Sequence, residues 1–278
     1  MQALEAVGWW MAAVVATAGA AALFYILIIY VAWAAVRART QTPRPKAFPL
    51  VALALEWLGA ALVFLLAIPP LFRNMVRLHP GTPNGIPVLC VHGYTQNWGN
   101  FVVLAGRLAR AGCGPIYAIN VTPRFAAMDR CAPQVTTAVE RIIKETGAPH
   151  VDLVGHSMGG LLARTALARH GAHGLIRRVV TLGTPHHGTL MAHVGPGKNA
   201  LEMRRQSNFL AGLPPPPPSL LSIWSTADAI VLPPDSSALQ GQDVVFTHLG
   251  HFSLLLSPAV SRVVARALTQ PDPPPQQA

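Results

Sequence analysis

The sequence predicts an α/β domain with about six mainly parallel strands flanked by helices, preceded by two transmembrane helices. Short apolar strands alternate with helical segments over residues 87–269, which implies crossover connections and a parallel sheet covered on both faces. Two long apolar runs precede this region. The mean hydropathy of +0.39 is higher, and the charged fraction of 12% is lower, than in an ordinary soluble protein. Both values agree with part of the chain lying in lipid.

The two apolar runs have the length and composition of membrane-spanning helices. Residues 6–36, 31 in all, carry no charge, and about 20 residues suffice to cross a bilayer. The second run, residues 47–72, contains a single acid, Glu56. We place the transmembrane helices at about residues 7–36 and 49–71, within an N-terminal membrane region of residues 1–78. A cleaved signal peptide is the alternative for the first run, but it requires Lys or Arg before a shorter apolar core, and only Glu5 precedes this one.

The charges that flank the two runs predict their orientation. The connection between the runs carries four basic residues, two more follow the second run, and none precedes the first. The positive-inside rule then puts the connection in the cytoplasm. In a bacterial cell the domain would lie on the periplasmic side of the inner membrane. Glu56 is expected to be partnered or protonated within the membrane, and a functional role for it stays open.

The charge indicates which kind of partner the protein binds, and the cysteines indicate whether a disulfide can form. The net charge is +10, but the basic residues are scattered and no nucleic-acid-binding motif is present, which favours attraction to an anionic membrane surface over binding to nucleic acid. Cys90 lies in an apolar strand and is expected to be a buried thiol. Cys113 and Cys131 would pair only in a periplasmic domain, and the odd number of cysteines leaves this open.

The elements of the domain follow in order. A Pro- and Gly-rich hinge, residues 79–86, leads into the domain of residues 87–269, and residues 270–278 form a Pro-rich tail that is expected to be disordered. The predicted strands are residues 88–91, 115–121, 151–154, 178–182, 220–224 and 243–249. Helices are predicted directly after the third strand and at about residues 101–111, 132–146 and 252–268. In such a sheet the functional side chains lie beyond the carboxyl ends of the strands.

The motif with the strongest chemical meaning lies after the third strand, in the sequence VDLVGHSMGG of residues 151–160. Gly155, Ser157 and Gly159 form the pattern G-x-S-x-G. A serine on a sharp, strained turn between a strand and a helix needs neighbours without a Cβ two residues away on each side. The turn exposes the hydroxyl at the tip of the strand, so Ser157 is the candidate nucleophile.

A serine nucleophile requires a base and an acid that orients the base, and both follow later strands. Asp228 comes after the fifth strand, and His251 comes after the sixth. His248 is the alternative base, but it still belongs to the strand pattern. The order serine, aspartate, histidine is that of a known catalytic triad.

Asp235 and Asp243 compete with Asp228 for the role of the acid. Asp235 follows two prolines in a surface turn, and Asp243 opens the last strand. Asp152 lies at the wrong end of its strand and is expected to be a structural, hydrogen-bonding acid.

An oxyanion formed during acyl transfer needs two backbone N–H donors. We expect these to be Met158, directly after the nucleophile, and Tyr94, in the loop after the first strand. His92 is expected to fix that loop, and His156 is expected to pack beneath the serine turn.

The segment that follows the fourth strand offers two further hypotheses. His186 and His187 are adjacent and have no acid or cysteine close by, so no metal site is predicted. Residues 190–218 contain a helical piece and five consecutive prolines. A mobile lid over a pocket and a static helix held by a rigid polyproline connector both fit this segment, and the choice stays open.

Five motifs in order resemble the compact bacterial triacylglycerol-lipase branch of the α/β-hydrolases, and more loosely the membrane-bound deacylases that remodel glycolipid anchors. These motifs are VHGYTQNW, VDLVGHSMGG, TLGTPHHGT, NALEMRRQSNFL and the pair STADAIV with LGHFSLL, within residues 87–268. The resemblance implies a carboxylic-ester hydrolase with Ser157 as nucleophile, His251 as base, Asp228 as acid, and Tyr94 and Met158 as oxyanion donors. The membrane hairpin departs from secreted lipases, which points to membrane lipids or periplasmic esters as substrates.

The sequence thus predicts a membrane-anchored serine esterase or lipase that acts through an acyl-enzyme on lipid or other acyl esters. Acyl transfer or glycolipid deacylation by the same triad is one alternative, and a catalytically silent membrane scaffold or binding module is another. The expected partners are the acyl ester substrate and membrane lipids, and no cofactor, metal or nucleic acid is expected.

Overall fold

The computed structural model of the protein describes residues 2–40, 50–65, 74–83 and 85–270. A seven-stranded sheet forms the centre of the domain, in the order β1-β3-β2-β4-β5-β6-β7. All neighbouring strands are parallel except β1, which pairs antiparallel with β3. The strands are β1 Met75–His79, β2 Val88–Val91, β3 Ile116–Ile119, β4 Val151–His156, β5 Ile176–Leu182, β6 Leu220–Ser225 and β7 Asp243–Phe246. The predicted fold class is confirmed, and six of these strands are the predicted ones.

Strand β1 was not predicted, and it corrects the boundary of the membrane region. The limit drawn between residues 78 and 79 cuts through this strand, so the domain begins before the hinge. An edge strand is only partly buried and needs no continuous apolar run. In β1 the exposed Arg77 interrupts the apolar residues, and the strand therefore lacks the signal that marks β2 or β4.

Helices of the domain cover both faces of the sheet, and the two N-terminal helices lie at one end of it. The helices are α1 Gln2–Thr40, α2 Leu50–Leu65, α3 Val102–Arg110, α4 Met128–Cys131, α5 Pro133–Thr146, α6 Met158–Arg169, α7 Lys198–Glu202, α8 Asn208–Ala211, α9 Ser253–Leu256 and α10 Pro258–Thr269. The single closing helix predicted at about residues 252–268 is instead α9 and α10. Ser257 is extended between them, at φ −75° and ψ 124°, because the residue before a proline avoids the helical conformation.

Alternate residues of the strands enter two separate apolar cores. Leu89 and Leu153 belong to the core on one face of the sheet, and Cys90 and Val154 belong to the core on the other. Cys113 and Cys131 are divided between the same two cores, and all three cysteines are free thiols. The disulfide that the sequence left open between Cys113 and Cys131 is absent from this structure.

Of the two predicted membrane-spanning helices, α1 is described over a length that could cross a membrane and α2 is not. Within the described residues, the segment Ala12–Val36 of α1 is the single one long and apolar enough to cross a membrane, by length and composition only. Helix α2 is described for 16 residues, and residues 66–71 of the predicted second span lie outside the described residues. The second transmembrane helix therefore stays a prediction.

Both N-terminal helices pack on the domain as well as on each other. The indole Nε1 of Trp57 in α2 donates to the Gly19 carbonyl in α1 at 3.0 Å. Ala22 and Ile26 of α1 and Ala60 of α2 form a small apolar cluster with Phe252 of the domain. Phe252 lies just beyond the carboxyl end of β7, so the hairpin covers the end of the sheet where a functional site is expected.

Candidate active site

Ser157 lies at the sharp turn that the G-x-S-x-G pattern predicts. It follows β4 and precedes α6, with φ 56° and ψ −125°, a conformation that is strained for any residue with a Cβ. A Cβ at Gly155 would lie 2.6 Å from Gly160 Cα, and one at Gly159 would overlap the Val91 carbonyl oxygen. The two flanking glycines are therefore steric requirements of the turn.

The main chain of Ser157 is held by hydrogen bonds that do not involve its hydroxyl. Its N–H donates to the Leu182 carbonyl at 2.8 Å, and its carbonyl accepts from Thr184 Oγ1 at 2.9 Å. The hydroxyl oxygen makes no hydrogen bond with any residue that the structure describes, and Ser157 lines a cavity. A molecule that enters the cavity would therefore contact this residue.

His251 and Asp228 form a buried pair beside the turn. His251 Nδ1 lies 2.7 Å from Asp228 Oδ2, and both side chains are 2% exposed. The other oxygen, Oδ1, accepts from the N–H groups of Ile230 at 2.8 Å and Val231 at 2.9 Å, which fixes the carboxylate. Burial by itself lowers the pKa of His251, but the Asp228 carboxylate and its hydrogen bond, together with the charge of Glu56, outweigh burial and raise this pKa above its usual value.

Two neighbours connect this pair to the serine turn. The ring of His156, the residue before Ser157, lies 4.6 Å from the ring of His251 between centroids. Gly183, directly after β5, has φ +54°, and a Cβ there would lie 3.1 Å from Asp228 Oδ2 and 3.2 Å from His251 Nδ1. The carboxyl ends of β4, β6 and β7 thus bring the pair of Asp228 and His251 beside the turn that carries Ser157, and among the described residues no hydrogen bond joins the Ser157 hydroxyl to His251.

The competing candidates lie elsewhere. His248 is exposed in the segment after β7, and Asp235 is exposed in a short 3₁₀ helix. Asp243 accepts from the Leu239 N–H at 2.6 Å. Asp152, at the start of β4, is buried and forms an ion pair with Arg177 at 2.6 Å, at the opposite end of its strand from Ser157. The structure does not bring these four residues to the turn.

Two buried histidines, His92 and His156, make hydrogen bonds to the loops around the site. Val121 N–H donates to His92 Nε2 at 3.0 Å, and His92 Nδ1 lies 2.8 Å from the Gly93 carbonyl, which matches the loop-fixing role expected for it. Burial lowers the pKa of His92 to about 4. His156 lies between the Gln96 amide oxygen and the His251 carbonyl, and burial lowers its pKa well below the usual value. Both nitrogens of each ring already have partners, so neither histidine is available as a second base.

The two candidate oxyanion donors border the serine. Met158 is the first residue of α6, so its N–H has no carbonyl partner within the helix. Tyr94 lines the same cavity as Ser157, and a Cβ on the preceding Gly93 would lie 2.8 Å from Ser157 Cβ. Gln96 Oε1 accepts from the Gly93 N–H at 3.0 Å and holds this loop against the turn.

A mainly apolar cavity of about 270 Å³ adjoins Ser157. Its walls come from the loop after β2, from residues 189–203 and from Ile230 and Val231. Helix α1 supplies a further wall through Tyr25, Ile28, Ile29 and Ala32. The sequence offered no signal for this contribution, because an apolar helix has the same composition whether it faces lipid or a cavity.

The segment of residues 190–218 caps the cavity and is held at several points. Lys198 N–H donates to the Phe125 carbonyl at 2.9 Å, and Asn199 Nδ2 donates to the Arg124 carbonyl at 2.7 Å. The Tyr94 hydroxyl donates to the Pro196 carbonyl at 2.6 Å. These contacts favour the static interpretation of the segment, and a mobile lid stays a prediction.

The adjacent histidines after β5 point to different partners. His186 is buried beside Thr181 Oγ1 and accepts from Arg164, while His187 Nε2 lies 3.1 Å from the Ala238 carbonyl. Among the described residues there is no group of three His, Cys, Asp or Glu side chains that could hold a metal ion.

Known proteins resemble parts of this chain in sequence and in fold. Residues 82–199 match the family described as the PGAP1-like α/β domain. A stretch of 59 residues, 21% of the chain, is 42% identical to triacylglycerol lipases of Pseudarthrobacter phenanthrenivorans and Burkholderia plantarii. The match spans 18% and 16% of the length of those two relatives.

Solved structures agree with the domain over most of its length. The mature form of a Bacillus licheniformis lipase superposes with a TM-score of 0.60 at 18% identity, over 70% of this chain and 98% of that one. Aspergillus fumigatus lipase B superposes with a TM-score of 0.59 at 17% identity, over 84% of this chain and 64% of that one. Similarity at these identities shows the fold alone. It confirms the α/β-hydrolase fold that the resemblance of the sequence motifs implied.

Proposed function

We propose that this chain, an α/β-hydrolase by fold, is a serine carboxylic-ester hydrolase of the lipase or esterase type that acts on membrane-lipid or other acyl esters. The observation that carries the proposal is the buried pair of His251 and Asp228, 2.7 Å apart, beside a strained serine whose hydroxyl has no partner among the described residues. The triacylglycerol lipases that match 21% of the chain support the same substrate class.

In the proposed mechanism His251 Nε2 removes the proton of the Ser157 hydroxyl as Oγ attacks the ester carbonyl carbon. Asp228 keeps the proton of the imidazole on Nδ1 and stabilises the imidazolium. The N–H groups of Met158 and Tyr94 bind the developing oxyanion. Each stabilises the transition state by roughly 3 kcal/mol. His251 then protonates the departing alcohol, and water, activated by the same histidine, releases the acid from the acyl-enzyme.

The cavity supports an acyl chain as the part of the substrate that is bound. Its lining is mostly aliphatic, with Met191 and Met203 on one side and Ile28 and Ile29 of α1 on the other. Ile28 is also 50% exposed, so the cavity borders the outer face of the helix. A lipid in contact with α1 is thereby close to Ser157. An alcohol that replaces water in the second step would give acyl transfer by the same groups.

A fluorophosphonate probe tests the proposed function directly. The purified full-length chain in detergent should be labelled in a single position, and peptide mass spectrometry should place the adduct on Ser157. Heat-denatured protein is the control, because an unfolded serine is not activated. A folded chain that is not labelled would favour the silent scaffold, and an adduct on another serine would reject Ser157 as nucleophile. Comparing products with and without an acceptor alcohol separates hydrolysis from acyl transfer.

The N-terminal helices are proposed to anchor the enzyme in a bacterial inner membrane with the domain on the periplasmic side. Large apolar side chains of α1 are exposed, among them Trp9 at 78%, Phe24 at 66% and Leu23 at 61%. An apolar surface of this extent requires lipid or another partner to cover it.

Reporter fusions check the orientation that the positive-inside rule predicts. An alkaline phosphatase fused to the C-terminus should be active in cells, and a fluorescent protein that folds only in the cytoplasm should be dark at the same position. The opposite pair of results would put the domain in the cytoplasm. A fusion at residue 40, in the predicted cytoplasmic connection, is the matched control and should give the reverse pattern.

A further inference from the structure

Glu56, the lone acid in the second apolar run, is bonded to the loop that carries His251. The side chain is 4% exposed. Oε2 accepts from the Phe252 N–H at 2.8 Å, and Oε1 lies 3.3 Å from both the N–H and the hydroxyl of Ser253. These donors belong to the two residues that follow His251. A side chain of α2 therefore binds the main chain next to the candidate base.

The loop is shaped to receive this carboxylate. A Cβ at Gly250, the residue before His251, would overlap Glu56 Oε1, so only glycine allows the approach. The Gly250 N–H donates to Ser253 Oγ at 2.7 Å, which closes a small turn around His251. His251 is thus held from two directions, with Asp228 on its ring and Glu56 on its backbone.

Burying a carboxylate is unfavourable unless donors satisfy it, and a second carboxylate near Asp228 adds repulsion. A helix that served only as an anchor would be expected to present an apolar residue here. Glu56 instead lies beside a group that must become positively charged during the proposed reaction, and the ionised form of its carboxyl would stabilise that charge. This placement is what a role in the reaction would require.

We propose that Glu56 is a positioning residue, which holds residues 252 and 253 so that His251 faces Ser157 and favours the imidazolium that forms during acyl transfer. The inference rests on the proposed function. It makes α2 a structural part of the active site, in addition to any role in anchoring the chain.

The charge of Glu56 gives the inference a signature in the pH profile. Asp228 after β6, His156 at the end of β4 and Glu56 of α2 face His251, and Tyr30 of α1 lines a small cavity with Glu56 and His251. The base works in its neutral form, so activity rises as His251 loses its proton. Glu56 raises the pKa of His251. Removing the charge lowers that pKa, and the acid limb of kcat/KM moves to lower pH.

The test compares Glu56→Gln with the wild-type full-length chain in detergent, with active sites counted by the fluorophosphonate probe. Per active site, kcat should fall about 10- to 100-fold, because a small displacement of a catalytic group has effects of this size, while KM changes less than about twofold. The acid limb should move to lower pH. Glu140→Gln makes the same chemical change on the exposed face of α5 and should alter none of these values.

A second variant separates the contact from the charge. Ser253→Ala removes the hydroxyl that contacts Glu56 and that also accepts from the Gly250 N–H, and it leaves the carboxylate in place. We expect kcat to fall by less than in Glu56→Gln and the acid limb to stay in place. If Glu56→Gln does not fold, Ser253→Ala with an unchanged kcat overturns the inference. A lowered melting temperature with wild-type kcat and pH profile in Glu56→Gln would make Glu56 purely structural. In both cases the wild type still labels at Ser157, so the proposed function survives.

Discussion

Replacing Ser157 by alanine should lower kcat for a p-nitrophenyl ester about 10⁶-fold, the loss that removal of a nucleophile produces in other serine hydrolases. The variant should fold normally. Alanine keeps the Cβ of Ser157, so the tight approach of Gly93 is unchanged, and the hydroxyl makes no hydrogen bond with the described residues that its removal would break. The melting temperature is therefore expected to stay close to that of the wild type.

Combining Ser157→Ala with His251→Ala tests whether the two residues act in the same step. His251→Ala alone should be about as inactive as Ser157→Ala, and the two changes together should cost no more than either one, because a nucleophile without its base and a base without its nucleophile fail in the same step. Losses that multiply in the double variant would show that the two residues act independently. That outcome would contradict the proposed acyl-enzyme mechanism.

Replacing Asp228 by asparagine should lower kcat about 10⁴-fold, because the structure dictates which way the new amide turns. Oδ1 accepts from the N–H groups of Ile230 and Val231, so the amide oxygen must keep that place. The NH₂ group then faces His251 Nδ1. The ring is forced to accept a hydrogen bond at Nδ1 and to carry its proton on Nε2. In that tautomer His251 cannot take the proton of Ser157.

Asp235→Asn is the matched control for this variant. Asp235 was a competing acid in the sequence, and it is exposed in a short 3₁₀ helix away from His251. Its replacement should leave kcat within about twofold of the wild type, as is usual for a surface change of this kind. Steady-state kinetics per active site, counted with the fluorophosphonate probe, measures both variants. If Asp228→Asn retained more than about a tenth of the activity, Asp228 would not be the orienting acid.

Much of the fold follows from local patterns. Strands β2 to β7 are short apolar runs, and their positions agree with the prediction within a few residues. Two of the differences have local causes that the apolar pattern does not report. β1 is a partly buried edge strand that contains Arg77, and the closing helix is interrupted at Ser257 because a proline follows.

In the candidate site, too, the sequence predicted some features and the structure was needed for others. The positions of Ser157, Asp228 and His251 at the ends of strands could be predicted, because parallel strands bring their carboxyl ends to one edge of the sheet. The sequence already favoured Asp228 over Asp235 and Asp243, but it could not show a contact with His251, since all three acids lie near strands in the sequence. Only the fold shows that Asp228 alone among them reaches His251.

The sequence by itself determined the strained serine turn, because a Cβ at Gly155 would meet the backbone of Gly159 and Gly160 within the same motif. It also determined the order of strands and helices, through the spacing of apolar residues. Only the tertiary structure decided that α1 lines the cavity and that Glu56 binds the loop after His251, across 196 residues of chain. Contacts over such separations depend on how whole elements pack. An apolar helix with one acid has the same sequence pattern whether it faces lipid or completes an active site.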